Sequence, residues 1–378
     1  MTSLPVVDLD FTEQPPIPKA GIERANELMA SGRLFRYGET SSGELDVADL
    51  EATFAALIGR RYCVALNSCG ASLAVALLAA GIESGEPVLM NAFTLAPVPG
   101  AIVHAGGQPV FVGITSDYHI DPEDLRSVAR SSGARFLLLS HMRGHIADME
   151  RLSALAADLG LVVIEDCAHT MGAGWDGRPT GTFGIAGCFS TQTFKHVNSG
   201  EGGLLVTDDD DIAARAILLS GSYMLHEQHG TIAPAAAFER HRYTTPNLSM
   251  RMSALAAAVA RPQLDLLDER ADIWNDRYAR LAKRLGADEQ IRIPVRDERE
   301  HHVASSIQFS VEGLDDDAMA AWISLAEAHG VYVKWFGRPE PRGFTSRHDH
   351  WRYVADQRLA GQGVTGEGLG DQGLVSAA

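Results

Sequence analysis

Lys195 lies in the run Phe189-Ser-Thr-Gln-Thr-Phe-Lys195-His-Val-Asn-Ser-Gly-Glu-Gly-Gly203, downstream of an apolar stretch, Leu161-Val-Val-Ile-Glu-Asp166, that ends in a carboxylate. A lysine amine that sheds its proton can join an aldehyde as an imine. A carboxylate can keep a pyridine nitrogen protonated, so that the ring draws electrons from whatever is joined to it. Lys195 and Asp166 thus supply the two chemistries that a pyridoxal phosphate (PLP) site needs. By itself, a lysine beside a glycine-rich turn is ordinarily a solvated surface residue. The order of the surroundings argues for a site instead. A buried strand carries a carboxylate at its C-terminal end, where open α/β sheets hold their ligands. The hydroxyl of Ser190 follows, then the lysine, then Ser199-Gly-Glu-Gly-Gly203 leading into the strand Leu204-Leu-Val-Thr207.

A phosphate needs its own seat. Asn67-Ser68-Cys69-Gly70-Ala71-Ser72 falls between a predicted strand and a predicted helix, so its N–H groups and the helix dipole can hold a dianion. Without a bound anion, the same segment is a plain helix cap. It lacks the Gly-Lys-Ser/Thr ending of a nucleotide P-loop. In Asn91-Ala-Phe-Thr-Leu95, Phe93 and Leu95 share one face of an extended chain.

Ala65 to Leu73, Gln108 to Val112, Glu165 to His169, Phe189 to Gly203 and Arg251-Met-Ser253 resemble, in order, successive motifs of the DegT/StrS family of PLP-dependent aminotransferases. The resemblance runs from about residue 20 to residue 285. It implies an α/β fold, the fold type I of PLP-dependent transferases, with a mainly parallel seven-stranded sheet between helices and a smaller C-terminal α+β domain. The large domain is expected over residues 1–250 with an N-terminal arm, and the linking helix and small domain over 251–378. Carried over residue by residue, the resemblance makes Lys195 the residue that binds PLP and Asp166 the partner of its ring nitrogen. Ser68, Cys69 and Gly70 stand at the phosphate, with Cys69 and Gly70 where the family has Gly-Thr, so Ser72 or Ser190 must supply the missing hydroxyl. Ser190 matches the family's phosphate-binding serine. Phe93 or Leu95 covers the cofactor face, His169 lies near the phenolic oxygen, and Gln192 lines the substrate side. Arg251, with Asn247 or Ser249, is expected to reach into the neighbouring subunit, which implies a homodimer with shared active sites.

The resemblance implies transfer of an amino group from glutamate or glutamine to a ketone of a sugar, nucleotide sugar or cyclitol. Sugar 3-dehydratases of the family carry histidine where Lys195 stands. Another reaction on the same fold, elimination or decarboxylation, and a non-catalytic regulator are the competing readings. Val333 to Gly337 and Arg342 to Trp351 depart from the family's histidine-containing loop, and the final strand and helix read as weak or missing. An acceptor smaller than or different from a nucleotide sugar is therefore expected, with Lys334, Arg338, Arg342, His348 and Trp351 as candidate contacts, although surface charge is the plainer reading of these residues.

Composition bounds the rest. The 378 residues, 46% hydrophobic and 21% charged, suffice for a large core. A net charge of -17 argues against nucleic acid or an anionic membrane as partner. Cys63, Cys69, Cys167 and Cys188 form no CxxC pair and no zinc spacing, so no metal is expected and the thiols read as reduced in a cytoplasmic protein. The first residues lack a signal-peptide pattern, and no apolar run reaches membrane-spanning length.

Periodicity predicts a helix from Pro18 to Gly32 and another from Val47 to Gly59, capped by Asp46, with Phe54, Leu57 and Ile58 on one face. Strands and helices then alternate to Glu165, as a sheet covered on both faces requires. A long helical stretch, Met252 to about Leu285, is expected to break at Pro262. A strand, a helix and a strand follow it, and the tail from Leu359 is rich in glycine.

Overall fold

Short apolar runs bounded by turn residues become strands. They are β1 (Tyr62–Leu66), β2 (Pro87–Asn91), β3 (Gln108–Val112), β4 (Phe136–Ser140) and β5 (Val162–Asp166), then a small hairpin of β6 (Gly174–Trp175) and β7 (Arg178–Pro179), then β8 (Ala186–Ser190) and β9 (Gly203–Thr207). The computed structural model describes residues 5–10, 12–37, 45–222, 225–230, 233–336, 348, 351–354 and the backbone of 375–377. One seven-stranded sheet takes the order β1-β9-β8-β5-β4-β2-β3. From β3 to β8 every pairing is parallel, and β9 runs antiparallel to both β8 and β1. The sheet is thus mainly parallel, as the sequence predicts.

Helices cover both faces. They are α1 (Lys19–Ser31), α2 (Asp46–Ile58), α3 (Cys69–Ala79), α4 (Pro97–His104), α5 (Pro122–Ser132), α6 (Met149–Asp158), α7 (Asp210–Ser220), α8 (Ala235–His241), α9 (Ala254–Leu264) and α10 (Leu267–Leu285). The side chains of Asp121, Asp148 and Asp209 cap α5, α6 and α7, each stabilising its helix by about 1 kcal/mol. Alternation along β1 divides the core. Tyr62, Val64 and Leu66 pack with α3 and α7, whereas Cys63 and Ala65 pack with Phe54 of α2 and Ala257 of α9. Beyond α10 come β10 (Ile291–Arg292), β11 (Glu300–His301), β12 (Ile307–Val311), α11 (Asp316–Ala328), β13 (Val333–Trp335) and β14 (Val375–Ala377). Four of these strands form an antiparallel sheet, β10-β12-β14-β13, with a core of Phe309, Val311, Met319 and Ile323.

Four expectations change. Asp46 is the first residue of α2 rather than its cap, and its carboxylate instead accepts from Arg24 Nε at 2.7 Å. Leu57 is 46% exposed, off the buried face that Phe54 and Ile58 share. Pro262 sits inside α9, and the helical stretch breaks only between Leu264 and Leu267. A proline near a helix C-terminus is tolerated where the chain is about to turn in any case. The final strand is present: β14 inserts between β12 and β13. Among the described residues no helix is long and apolar enough to cross a membrane.

Candidate active site

Parallel pairing aligns the C-terminal ends of β4, β5 and β8, setting Ser140 beside Asp166 and Asp166 beside Cys188. Asp166 is buried. Its Oδ2 accepts from Ser140 Oγ at 2.7 Å, and its Oδ1 accepts from the Ala168 N–H at 3.1 Å. Behind it, Thr94 Oγ1 donates to Ser140 Oγ at 3.1 Å, and the Asn91 amide clamps the Ser140 backbone from both sides at 2.8 and 3.0 Å. The carboxylate is therefore fixed by neutral donors. Among the described residues no cation forms an ion pair with it. A buried carboxylate held this way keeps capacity for a cationic N–H from a ligand.

Lys195 rides on the connection between β8 and β9. Because those strands are antiparallel, the loop is cross-tied like a hairpin, with Thr191 N donating to Gly202 O and Thr193 N to Gly200 O, both at 3.0 Å. Gln192 closes its tip by accepting from Phe194 N at 3.0 Å. Lys195 Nζ lies 2.7 Å from Nε2 of His169. Burial first, and then the Arg143 guanidinium, push the amine down to about 8, while Asp166 pulls the other way. Burial and then Lys195 hold the His169 imidazole well below its ordinary value, so the ring is neutral and Nε2 can accept from the ammonium.

The phosphate-type turn meets this loop through a glycine. A Cβ on Gly203 would collide with the Ser68 carbonyl and Cys69 N, so only glycine lets the start of β9 lie against the start of α3. Ser68 Oγ accepts from Ala71 N at 3.0 Å, which leaves the N–H groups of Cys69 and Gly70 without an intrahelical acceptor. Space beside Gly70 is open, since an added Cβ would meet only Ser68 Oγ at 3.9 Å. Cys69 lies within the fields of both Asp166 and Lys195, and burial pushes its thiol well up, so it is a neutral neighbour. The donor set fits PLP: an amine near neutrality, a carboxylate, and a helix start with free N–H groups.

The remaining candidates divide. Ser72 is fully buried and donates to Ser68 O at 3.2 Å, so its hydroxyl is used within the helix, whereas Ser190 Oγ at the end of β8 accepts only from Gln192 N, at 3.3 Å. Phe93 is 2% exposed, its ring covered by Tyr118 and Phe336 with centroids 5.4 Å away in each case. Leu95 is half-buried at the edge of that cluster. Asn247 and Ser249 lie exposed, with Ser249 at φ 54 and its N and Oγ both donating to Asn247 Oδ1, at 2.9 and 3.1 Å. The backbone of Arg251 bridges to Leu66 at the end of β1, and its Nη1 donates to Gly221 O at 2.5 Å.

Of the C-terminal candidates, Lys334 is exposed and its charge reaches Lys195. His348 and Trp351 are core instead. His348 stacks on Phe111 at 4.1 Å and pairs with Ala92 O at 2.8 Å, and Trp351 is 2% exposed. Arg338 and Arg342 lie outside the described residues. Sequence spacing also passed over one metal-like group, since the ligand atoms of His141, Glu165 and Cys167 lie within 4.8 Å of one another. Those atoms have other work. Glu165 accepts from the N–H groups of Gly181, Phe183 and Gly184 at 2.8, 2.7 and 2.8 Å, and burial keeps the Cys167 thiol protonated.

The site therefore stands on a mainly parallel seven-stranded α/β sheet, with Asp166 at the C-terminal end of β5 and Lys195 on the β8–β9 connection. The chain belongs to the DegT/DnrJ/EryC1/StrS aminotransferase family, whose model matches residues 17–336. The family is PLP-dependent. The chain is 33% identical over 256 residues to the spore coat polysaccharide biosynthesis protein SpsC of Bacillus subtilis, a match covering 68% of this chain and 64% of that one. It is 34% identical over 269 residues to the L-glutamine:scyllo-inosose aminotransferase of Streptomyces griseus, covering 69% and 62%. Each match spans a little under two thirds of the relative. The fold is similar to the crystal structure of 3-amino-5-hydroxybenzoic acid synthase, with a TM-score of 0.79 at 24% identity over 97% of this chain and 92% of that one.

Proposed function

We propose that the protein is a PLP-dependent aminotransferase that moves an amino group from glutamate or glutamine to a ketone of a sugar, nucleotide sugar or cyclitol. The carrying observation is the Lys195 amine, brought down to about 8 beside a neutral His169, with Asp166 acting on it from the end of β5. When bound, PLP supplies an electron-withdrawing ring and an aldehyde for attachment. Lys195 would hold that aldehyde through its amine, and the same amine, near neutrality, could take up and return a proton. Asp166 holds the ring nitrogen protonated, with Ser140 and Thr94 fixing its angle. His169, beside the Lys195 amine, would stand near the cofactor's phenolic oxygen. The N–H groups of Cys69 and Gly70 with the Ser68 and Ser190 hydroxyls would hold its phosphate, and Leu95 rather than Phe93 would supply apolar cover. Gln192 lines the substrate side. Arg251, with Asn247 or Ser249, completes the site of a second subunit in a homodimer.

The donor reading draws support from the relative named for L-glutamine and scyllo-inosose, which also favours a cyclitol ketone as acceptor. A small acceptor loses His348 and Trp351 as contacts, because both are core. Elimination, decarboxylation and a regulator without catalysis are distinguished by one experiment. Holoenzyme mixed with L-glutamine should lose the visible band of the lysine-linked cofactor and gain the near-ultraviolet band of its amine form, and a cyclitol or sugar ketone should reverse the change. Failure of every amino acid to produce the amine form would remove the aminotransferase reading.

A further inference from the structure

We infer that Arg143 is the receptor for a substrate carboxylate. The inference rests on the aminotransferase reading and deepens it. Arg143 occupies the turn Met142–Gly144 after β4, with φ 56 and ψ 24. That left-handed conformation is uncommon for a residue with a side chain, and such residues concentrate at functional sites. Among the described residues its guanidinium differs from those of Arg36 and Arg296. Arg36 holds Glu51 in two bonds, at 2.9 and 2.8 Å, and Arg296 holds Glu300. Arg143 Nε is buried and meets no acceptor, and among the described residues no carboxylate or carbonyl answers the rest of the fork. Arg143 is half-buried as a whole, so its Nε has lost water without gaining an acceptor while the fork stays open to a ligand.

Its position says which use. The charge of Arg143 is felt at Lys195, His169 and Lys334, and the neighbouring Gly144 lies against the His169 carbonyl. The Arg143 guanidinium therefore lies close to the Lys195 amine and His169. The proposed phosphate seat is at the start of α3, so the unpaired Nε of Arg143 is left for a different anion. A guanidinium fork matches a planar carboxylate in two parallel bonds. The carboxylate can come from the amino donor or from a carboxylated ketone.

The test uses holoenzyme and the variants Arg143→Gln and Arg143→Lys. Glutarate, a dicarboxylate that cannot react, is titrated calorimetrically. Arg143→Gln should bind it about ten- to a hundredfold more weakly than the native protein, with Arg143→Lys in between. In the half-reaction, native protein should prefer L-glutamine to 4-aminobutanamide, which lacks the α-carboxylate. If the donor supplies the anion, Arg143→Gln erases that preference. If the acceptor supplies it, the donor preference survives, and a preference for a carboxylated cyclohexanone over a neutral cyclitol ketone is erased. Unchanged glutarate binding together with both preferences intact in Arg143→Gln would overturn the inference while leaving transamination standing. A native protein that binds glutarate through Arg143 yet never yields the amine form would overturn transamination alone.

Discussion

Lys195 Nζ and His169 Nε2 stand 2.7 Å apart, and burial lowers the proton affinity of both. The histidine is the more extreme of the two. It stays neutral across the physiological range and acts as an acceptor for the lysine ammonium, while the lysine sits close enough to neutrality to release its proton. The β8–β9 loop brings the amine to the ring, and the residues after Asp166 bring the ring to the amine.

The first prediction concerns pH. In the apoprotein, acetylation of Lys195 followed by mass spectrometry should show a midpoint near 8, against the ordinary 10.5. The sign for stability follows: between about 8 and 10.5 the unfolded chain binds the proton more readily than the folded one, so stability rises with pH across that window. Lys195→Met should therefore melt higher than native apoprotein at pH 7, with the difference vanishing above 10.5. Equal melting at pH 7 would mean that the amine is solvated.

Asp166→Asn keeps the shape and removes the charge. The half-reaction with L-glutamine should slow by about 10²- to 10⁴-fold, with cofactor still attached to Lys195. Stopped-flow absorbance gives the rate, and a native rate would dismiss Asp166 as the ring's partner.

Stability away from the site rests on a different carboxylate. Glu51 of α2 pairs with Arg36 and accepts from Ala65 N of β1 at 2.7 Å, tying helix to sheet. Burial alone would raise its carboxyl, but Arg36 and His229 outweigh burial and hold it at about 2. Its contribution is present above the ordinary carboxyl value of 4.5 and is lost as pH falls toward 2. Glu51→Gln should cost about 3–5 kcal/mol in urea unfolding at pH 7, because it strands the arginine. A loss below 1 kcal/mol would show the pair to be solvated.

Shared sites have their own test. Lys195→Ala and Arg251→Ala, each inactive as a pure protein, should regain activity when unfolded together and refolded, because mixed dimers hold one intact site. No recovery in a mixture shown to contain mixed dimers would place Arg251 in its own chain's site.

Much of this was legible in the sequence, for identifiable reasons. The alternating strands were readable because buried parallel strands are near-continuous apolar runs, as Phe136 to Ser140 shows. Lys195 and Asp166 stood out because a charged residue at the end of such a run needs a reason. Ser140 was passed over, although it closes β4 as Asp166 closes β5, and parallel register would have paired them. Phe93 and Leu95 share a face, but only packing reveals that Tyr118 and Phe336 already cover the larger ring. Arg143 carries no mark of its own in the sequence. Nothing local in a sequence announces that a guanidinium will lack a partner. The Arg36–Glu51 pair spans elements 15 residues apart, beyond the reach of periodicity.

The central claim is that the amine of Lys195 carries the cofactor. Borohydride reduction of the holoenzyme, digestion and mass spectrometry should find a pyridoxyl phosphate adduct on Lys195 in nearly every molecule, and none in Lys195→Ala. An adduct on another lysine, or a protein that takes up no PLP at all, would contradict the account.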